Sequence, residues 1–368
     1  MKIFQALHKY APYIPHFEQN YQVEHLSFDE HVQTLIQDRF YALHLLKPVL
    51  ERAPNAFYAL WNYEALQYKW AEEQGWKERD LKKILYAQIE AFQPEVFYNM
   101  SPTFFEPGEL EQQLAPNIIR ICWSASPFYE NEQFLAYQTR LTNLPLDVRP
   151  TSEMGFRSDL FQPAYDPAMA SYAANKERPI DLFFYGQYAR AIFKRRNEQL
   201  DQLLEYQATS KHRIELHLQY RIEKKPVVNI PYVRRYWQKI AHPSKQVRTG
   251  AKPPVYGLDL YEKLSQSKVV FNAGVDFSKE YKVNMRNLEV LGCGAQMLSD
   301  EGLYPANFEA GKHFSTYKDM PDFFQRLEYW LDHKKERLAI AEAGHQMVTT
   351  HYTKEQQWQH FQAIVASL

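Results

Sequence analysis

Short apolar runs and longer stretches of helically spaced apolar residues alternate along the first half of the chain. The runs in MKIFQAL, NAFYALWNYE, PEVFYNMS and IIRICWSAS are typical of strands. Between them, residues 28–51 and the segment LKKILYAQIEAFQ carry apolar residues three and four apart, which predicts helices, and Ser27 suits an N-cap. VRPTSEMGFRSDLF indicates a strand edge and a turn. The alternation predicts a parallel sheet covered by helices.

The same alternation restarts after residues 162–179, a stretch with three prolines and little apolar periodicity that we interpret as a linker. Strands are then predicted at IDLFFYG, RIELHLQY, KVVFNAG and AQMLSD. Helices are predicted at RRNEQLDQLLEYQ, DLYEKLSQ, NMRNLEVLGCG, MPDFFQRLEYWL, KKERLAIAEAGHQMV and residues 354–367. The fold class is therefore α/β with two parallel sheets. We place one domain at 1–170, a second at 171–350 and a C-terminal helix at 351–368.

Length and composition narrow the class of protein. The 368 residues are 45% hydrophobic and 24% charged, which suits a globular protein with two cores. Lys and Arg total 43 against 44 acidic residues, so the overall charge favours neither nucleic acid nor membrane. Cys122 and Cys293 are interpreted as buried free thiols in a reducing compartment. The first residues lack the long apolar stretch of a signal peptide, and we expect a cytoplasmic protein.

Residues 282–302, KVNMRNLEVLGCGAQMLSDEG, form the stretch richest in candidate chemistry. A helix predicted to begin near Asn284 would present unpaired N–H groups to an anion, and Arg286 would add a positive charge. Glu289 lies on the same face, where a carboxylate suits the hydroxyl groups of a ribose. The two glycines in LGCG would let the helix lie close to the sheet. An ordinary amphipathic helix with an exposed Arg–Glu pair is the alternative.

A second candidate lies after the strand IDLFFYG. Gly186 ends this strand, and a glycine there allows a ligand to approach the backbone. Lys194, Arg195 and Arg196 follow within ten residues, and any of them would suit a diphosphate. A solvated, positively charged helix start is the alternative.

These motifs resemble the nucleotide-sugar-binding half of GT-B glycosyltransferases, and most closely the CgeB-like group within the family 4-like glycosyltransferase group 1 clan. Several motifs of this chain match the motif positions of that group. They are GLDLY at 257–261, Asn272, Asp276, NMR at 284–286, Glu289, the glycines of LGCG and SD at 299–300. In the first half, NYEALQYKWAEEQGW, QIEAFQPEVFY and MGFRSDLF are also similar. The resemblance covers nearly the whole chain.

The resemblance implies GT-B architecture, with two Rossmann-like domains facing across a cleft and the last helix crossing back to the N-terminal domain. The N-terminal domain would bind the acceptor, and the C-terminal domain would bind the donor sugar nucleotide. Glu289 would accept hydrogen bonds from the ribose, and the loop at 256–259 would flank the base. The residues implied in donor binding are Gly186, Lys194, Arg195, Tyr256, Gly257, Asp276, Asn284, Met285, Arg286, Asn287 and Glu289.

Two positions depart from the family pattern. Retaining relatives often carry a glutamate eight residues before the ribose-binding one, where this chain has Tyr281 with Glu280 beside it. The family histidine in L-N-x-H-x-D is Gly274 here. The contacts to the sugar and the choice between retention and inversion therefore stay open.

Inversion requires a general base, and the loops after the N-terminal strands supply the candidates. His8 directly follows IFQAL and would project from the strand end. Glu64 and Glu153 are the carboxylate candidates for catalysis, and Ser101 and Ser124 also follow strands. Each of these residues has an ordinary surface or packing role as its alternative.

We expect a metal-independent transferase with no cofactor beyond its nucleoside-diphosphate sugar, because the chain has no Asp-x-Asp motif. The acceptor would be a hydroxyl of a glycan, lipid-linked sugar or protein, as in polysaccharide biosynthesis, and we expect no nucleic-acid partner. The basic segment 221–252 would be a loop over the donor site or a patch that contacts the inner face of the membrane. A catalytically inactive sugar-nucleotide-binding scaffold is the main alternative. A nicotinamide oxidoreductase is disfavoured, because no G-x-G-x-x-G follows a predicted strand.

Overall fold

The computed structural model describes residues 1–125, 131–189, 193–220 and 243–368. These residues form two compact units. Unit 1 comprises Met1–Ala164 with Lys354–Leu368, and unit 2 comprises Tyr165–Thr353. The domain limits at 1–170, 171–350 and 351–368 stay a prediction.

Unit 1 is built on a six-stranded parallel sheet in the order β2-β1-β3-β4-β5-β6. The strands are β1 Ile3–Leu7, β2 Ala56–Leu60, β3 Val96–Asn99, β4 Ile119–Trp123, β5 Thr139–Thr142 and β6 Ser158–Leu160. The helices are α1 Ile14–Tyr21, α2 Phe28–Gln37, α3 Lys47–Leu50, α4 Glu64–Glu73, α5 Leu81–Phe92, α6 Glu109–Gln113, α7 Thr151–Met154 and, from the C-terminus, α15 Lys354–Ala366. Strand β1 is buried along its whole length, as expected for a central strand of a parallel sheet.

Unit 2 has a five-stranded parallel sheet in the order β11-β10-β9-β7-β8. The strands are β7 Ile180–Gln187, β8 Ile214–Gln219, β9 Ser267–Asn272, β10 Gln296–Asp300 and β11 Ser315–Tyr317. The described helices are α8 Met169–Ala173, α9 Lys194–Thr209, α10 Lys245–Gly250, α11 Gly257–Ser265, α12 Arg286–Gly292, α13 Met320–Asp332 and α14 Lys334–His351. The predicted α/β class with two parallel sheets is confirmed.

The structure corrects three local predictions. The helix predicted at 28–51 ends at Gln37, because Arg39 has a left-handed backbone with φ 70°. The linker interpretation of 162–179 is wrong for most of the stretch, since Tyr165 and Met169 are buried and α8 packs in unit 2. The glycines of LGCG were expected to let the helix lie close to the sheet, but they instead allow close packing against α8. A Cβ on Gly292 would lie 2.4 Å from Met169 Sδ.

A buried lysine joins α15 to the rest of unit 1. Lys354 Nζ donates to the main-chain oxygens of Ala42 at 2.6 Å, Leu43 at 3.0 Å and Leu45 at 2.7 Å. Residues 38–46 form turns outside regular helix, so these carbonyl oxygens have no helical N–H donors. The Lys354 side chain supplies the donors instead.

We expect Lys354→Met to lower the free energy of unfolding by about 2–4 kcal/mol, since it leaves buried carbonyls without donors. Urea unfolding measures the change. Glu355→Gln is the matched control, because it removes only an exposed pair with Lys47 that is worth less than about 1 kcal/mol. Equal losses in the two variants would contradict the assigned role of Lys354.

Candidate functional site

The carboxyl ends of β7, β9 and β10 lie side by side in the sheet of unit 2, so the loops that follow these strands meet at one edge. Gly186 lies near the end of β7, Gly274 follows β9, and Asp300 ends β10. Helix α12 begins beside them and carries Arg286 and Glu289. This edge therefore brings together the residues that the sequence singled out in unit 2.

Asn272, the last residue of β9, holds the start of α12 in place. Its Oδ1 accepts from Asn284 Nδ2 at 3.0 Å and from Arg286 Nη1 at 2.9 Å. Its Nδ2 donates to Asn287 Oδ1 at 2.9 Å and to Ser299 Oγ at 3.0 Å. Because the side chain is fully buried, every one of these bonds is shielded from water. Asn272 was identified in the sequence only as part of a motif.

Arg286 points inward from the first turn of α12. Its Nη2 donates to the main-chain oxygen of Tyr185 at 2.7 Å, and its guanidinium carbon lies 4.7 Å from the ring centre of Phe184. A Cβ on Gly186 would lie 3.0 Å from the same Nη2, so a glycine at this position leaves room for the arginine. Nε of Arg286 is buried and makes no hydrogen bond to the described residues.

A second buried arginine lies at this edge. Arg196, in the first turn of α9, is 5% exposed and donates from Nη2 to the main-chain oxygen of Gln187 at 2.9 Å. Burial, and next the positive charge of Arg286, lower the pKa of Arg196 to about 9. Within the described ranges, no carboxylate lies at ion-pair distance from either guanidinium. The charge of Asp276 opposes this shift in the pKa of Arg196. Two buried cations with no ion-paired carboxylate among the described residues favour binding of an anion.

The sequence also pointed to Arg195 and Lys194, but the structure gives these side chains different surroundings. Arg195 is half exposed, and its Nη2 pairs with Asp300 Oδ2 at 3.0 Å. Lys194 is exposed at the first position of α9. Arg196, which was named only as an alternative, is the inward-facing member of the three. Its spacing from Leu200, four residues on along the same face of α9, was the sequence signal for this orientation.

Glu289 is half-buried on α12 and accepts a hydrogen bond from the Tyr185 hydroxyl. Burial raises the pKa of Glu289, although the Tyr185 hydrogen bond and the charge of Arg286 oppose the shift. The carboxylate thus lies within electrostatic range of Arg286 without forming an ion pair with it. Such a group can accept hydrogen bonds from a polar ligand.

A buried ion pair occupies the space beside Gly274. Lys282 Nζ lies 2.8 Å from Asp300 Oδ2, and the two side chains are 2% and 1% exposed. Asp300 Oδ1 also accepts from the main-chain N–H of Gly274 at 3.0 Å. A Cβ on Gly274 would lie 2.9 Å from both Cδ and Nζ of Lys282. The lysine therefore fills the room that a larger residue at 274 would take.

The remaining predicted donor residues also lie on or near this edge. Asp276 Oδ2 accepts from the main-chain N–H of Arg195 at 3.1 Å, so it occupies the amino end of α9. Asn287 donates to the main-chain oxygen of Lys282 at 2.6 Å, and Met285 caps α12. Helix α12 begins at Arg286, two residues later than predicted.

Tyr256 and Gly257 form the start of α11, the helix that leads into β9. Tyr256 is 7% exposed and precedes the first residue of the helix. Gly257 has φ 53°, a left-handed conformation that favours glycine. No described contact joins these two residues to Arg286 or Glu289.

In unit 1, the carboxyl end of β1 carries His8. Its Nδ1 lies 3.0 Å from Ser101 Oγ, and its ring lies 5.3 Å from that of Phe104, which is 46% exposed. Burial lowers the pKa of His8, so its imidazole is mainly neutral near neutral pH, as a general base requires. Glu64 forms an ion pair with Lys9 next to His8.

The other candidates in unit 1 are less closely associated with His8. Glu153 is exposed on α7, and no contact among the described residues joins it to His8 or Glu64. Ser124 is buried after β4. Most of the basic segment 221–252 lies outside the described residues, and its end forms α10.

The described helices include none that is both long and apolar enough to cross a membrane. In the parts of the chain that the structure describes, no group of three or more His, Cys, Asp or Glu side chains is arranged to hold a metal ion. The predicted metal independence and localisation stay predictions.

Comparisons with known proteins agree with this architecture. Residues 216–363 match the family model "Glycosyl transferase-like". HepE of Anabaena, solved with UDP and glucose, superposes with a TM-score of 0.57 at 11% identity over 100% of both chains. A glycosyltransferase of Rickettsia africae superposes with a TM-score of 0.50 at 8% identity, covering 98% of this chain and 97% of its own. No curated protein sequence matches the chain.

These likenesses confirm the fold class, and the membership in the CgeB-like group stays a prediction. The two parallel sheets correspond to the two Rossmann-like halves of such proteins. The chain has the GT-B glycosyltransferase fold, and its residues 216–363 match the glycosyl transferase-like family.

Proposed function

We propose that this protein is a glycosyltransferase that moves a sugar from a nucleoside-diphosphate sugar, held by unit 2, to a hydroxyl group of an acceptor. The family match over residues 216–363 supports the transferase activity. The HepE structures contain UDP with glucose and UDP-glucose, which makes a UDP-sugar the first donor to test.

The observation that carries the proposal is the pair of buried arginines at the carboxyl edge of the unit 2 sheet. Arg196 and Arg286 are both buried, the charge of Arg286 lowers the pKa of Arg196, and no carboxylate in the described ranges lies at ion-pair distance from either guanidinium. A diphosphate would supply the missing negative charge and bind a guanidinium through paired hydrogen bonds. The same positive charge would stabilise the leaving diphosphate during transfer.

Glu289 suits the nucleoside part of this donor. Its carboxylate lies within electrostatic range of Arg286 and is oriented by the Tyr185 hydroxyl. A carboxylate beside a diphosphate is disfavoured by like charge unless it accepts hydrogen bonds from hydroxyl groups. We assign these hydroxyl groups to the ribose, and we assign Gly186, Asn284, Asn287 and the start of α12 to positions around the diphosphate.

His8 in unit 1 is the best-placed general base if the reaction inverts configuration. Its lowered pKa leaves the imidazole neutral, and Ser101 orients the ring through Nδ1. Phe104 offers an exposed aromatic ring beside it, which is suited to stack on an acceptor sugar. The acceptor is a hydroxyl-bearing glycan, glycolipid or protein.

Transfer should proceed without a divalent metal, because the buried arginines supply the positive charge that a metal would otherwise provide. We expect turnover of the donor to fall by less than about twofold in excess EDTA. The measurement is release of nucleoside diphosphate after dialysis against chelator. Loss of activity that Mn²⁺ restores would overturn the metal-free site.

The alternative is a scaffold that binds sugar nucleotides without transfer. The Lys282–Asp300 pair, which fills the space at Gly274, is the observation that favours it, because the resemblance to the CgeB-like group implies a histidine at that position. Calorimetry with UDP-, GDP- and TDP-sugars, followed by an assay of donor hydrolysis, separates the two functions. Binding with turnover supports the transferase, binding without turnover supports the scaffold, and no binding of any donor contradicts both.

A further inference from the structure

A surface cavity of about 840 Å³ lies in unit 2 between α8, α14 and the start of β9. Five of its sixteen lining residues are Lys or Arg, and Glu342 is its one acidic residue. The basic residues are Lys176, Arg178, Lys268, Lys334 and Arg337. The cavity is therefore strongly basic in a chain whose overall formal charge is −1.

Two of these cations are arginines that form no ion pair with a carboxylate in the described parts of the chain. Arg337 is 5% exposed and donates from Nη1 to the main-chain oxygens of Trp330 and Leu331. Arg178 is half-buried and donates to the main-chain oxygens of Leu264, Ser267 and Cys293. Main-chain carbonyls satisfy only part of the hydrogen-bonding capacity of each guanidinium, and none of them neutralises its charge.

Burial disfavours the charged form of both arginines. It lowers the pKa of Arg178 to about 10, and the charge of Arg337 contributes to that shift. Burial also lowers the pKa of Arg337, and Asp181 opposes the change from a distance. Asp181 is already paired with Lys268. An anion in the cavity would offset this unfavourable accumulation of positive charge.

The cavity is separate from the proposed donor site. Arg178 precedes β7, Lys268 lies at the start of β9, and Gly294 precedes β10, so the cavity lies at the amino ends of the strands. The donor site lies at their carboxyl ends. The residue steps of β7 between Ile180 and Gly186 span about 20 Å. One diphosphate group cannot reach both edges.

We propose that this cavity is a second anion site, which binds a phosphate or diphosphate group through Arg178 and Arg337, with Lys176 and Lys334 at its rim. Guanidinium groups bind phosphate oxygens by paired hydrogen bonds, and the rim lysines add positive charge. The group is carried either by a small soluble metabolite or by a lipid headgroup. This proposal does not depend on the donor chemistry at the other edge.

The test is calorimetric titration of the full chain with inorganic pyrophosphate. We expect the double variant K176E/K334E to weaken binding by more than about tenfold, because it reverses two charges at the rim. The control is K335E, which reverses one charge rather than two, at an exposed neighbour of Lys334 that does not line the cavity. It should change affinity by less than about threefold.

A second variant keeps the test independent of the rim. R337K preserves the charge but loses the planar guanidinium group and its paired N–H donors, so the affinity for pyrophosphate should fall by about tenfold. The melting temperature of the variant reports whether the fold survives. Arg196→Met removes a cation at the opposite edge of the sheet and should leave pyrophosphate binding in the cavity unchanged. Failure of the proposed donor site can therefore be distinguished from failure of the second anion site. Equal pyrophosphate binding by the wild type, K176E/K334E and R337K would overturn the proposal.

Sedimentation with phosphatidylcholine vesicles, with and without phosphatidic acid, distinguishes the two sources of the phosphate. Binding of pyrophosphate without vesicle binding indicates a soluble ligand. Vesicle binding that requires phosphatidic acid and is lost in K176E/K334E indicates a lipid headgroup. Failure of both probes to bind would also overturn the proposal.

Discussion

Replacing Glu289 with alanine should lower kcat/KM for the donor by about a hundredfold while the protein stays folded. The reason is that the ribose would lose a charge-assisted hydrogen bond to the Glu289 carboxylate, which is worth about 1.5–3 kcal/mol. The carboxylate is held in place by the Tyr185 hydroxyl and lies within electrostatic range of Arg286. Steady-state kinetics with the active nucleotide sugar measures the loss, and circular dichroism checks the fold.

The matched control is Glu262→Ala, which removes an exposed glutamate from α11 and should leave kcat/KM unchanged. Tyr185→Phe removes only the hydroxyl that orients Glu289, so we expect a smaller loss of about three- to tenfold. A folded Glu289→Ala protein with wild-type kinetics would refute the assignment of Glu289 to the donor.

The same residue should make donor binding dependent on pH. Burial raises the pKa of Glu289, so its carboxylate takes up a proton at a higher pH than an ordinary glutamate does. Affinity for the nucleotide sugar should therefore fall as the pH drops through that raised value. Because the variant has no group to protonate, the dependence should disappear in Glu289→Ala.

Replacing Arg196 with methionine should weaken donor binding by about a hundredfold and leave the apoprotein as stable as the wild type, or more so. The arginine is buried and forms no ion pair with a described carboxylate, and burial together with Arg286 lowers its pKa to about 9 although the charge of Asp276 opposes the shift. Removing it ends the unfavourable burial of a charge and the repulsion between the two guanidinium groups. A bound diphosphate would lose about 2–3 kcal/mol of charge-assisted hydrogen bonding.

Urea unfolding and calorimetry with the nucleotide sugar measure the two quantities separately. Lys211→Gln, at an exposed position just beyond the C-terminal end of α9, is the control and should change neither. A structural role for Arg196 predicts the opposite pattern, in which stability falls and donor affinity per folded molecule is unchanged. That result would remove the main support for the donor site.

The fold class was predictable because parallel strands buried on both faces appear as continuous apolar runs. IFQAL, VFYN and VVFN all lie within observed strands, and the helix predicted at LKKILYAQIEAFQ is observed at Leu81–Phe92. The helix α1 and the short strand β11 were not predicted. Helix α1 has only eight residues and β11 only three, too few for a clear periodic pattern. Short elements depend on tertiary contacts for their stability.

The candidate site was only partly predictable. The sequence located Arg286, Glu289 and Gly186, because they lie near strand ends or on a distinctive helix. It could not show that Arg286 faces inward or that Arg196 is buried beside it. Those orientations depend on which face of each helix meets the sheet. They become visible only in contacts such as the hydrogen bond that Arg286 donates to the main-chain oxygen of Tyr185, a residue distant in sequence.

By itself, the sequence determined the alternation of strands and helices, the two parallel sheets and the residues that follow their strands. These features depend on local spacing and on the burial of apolar runs, which one chain carries in its order of residues. Only the tertiary structure decided which charges are paired. Asp300 forms ion pairs with Lys282 and Arg195. No described carboxylate lies at ion-pair distance from Arg196, Arg286, Arg178 or Arg337. The reason is that packing brings together groups that are far apart in the chain.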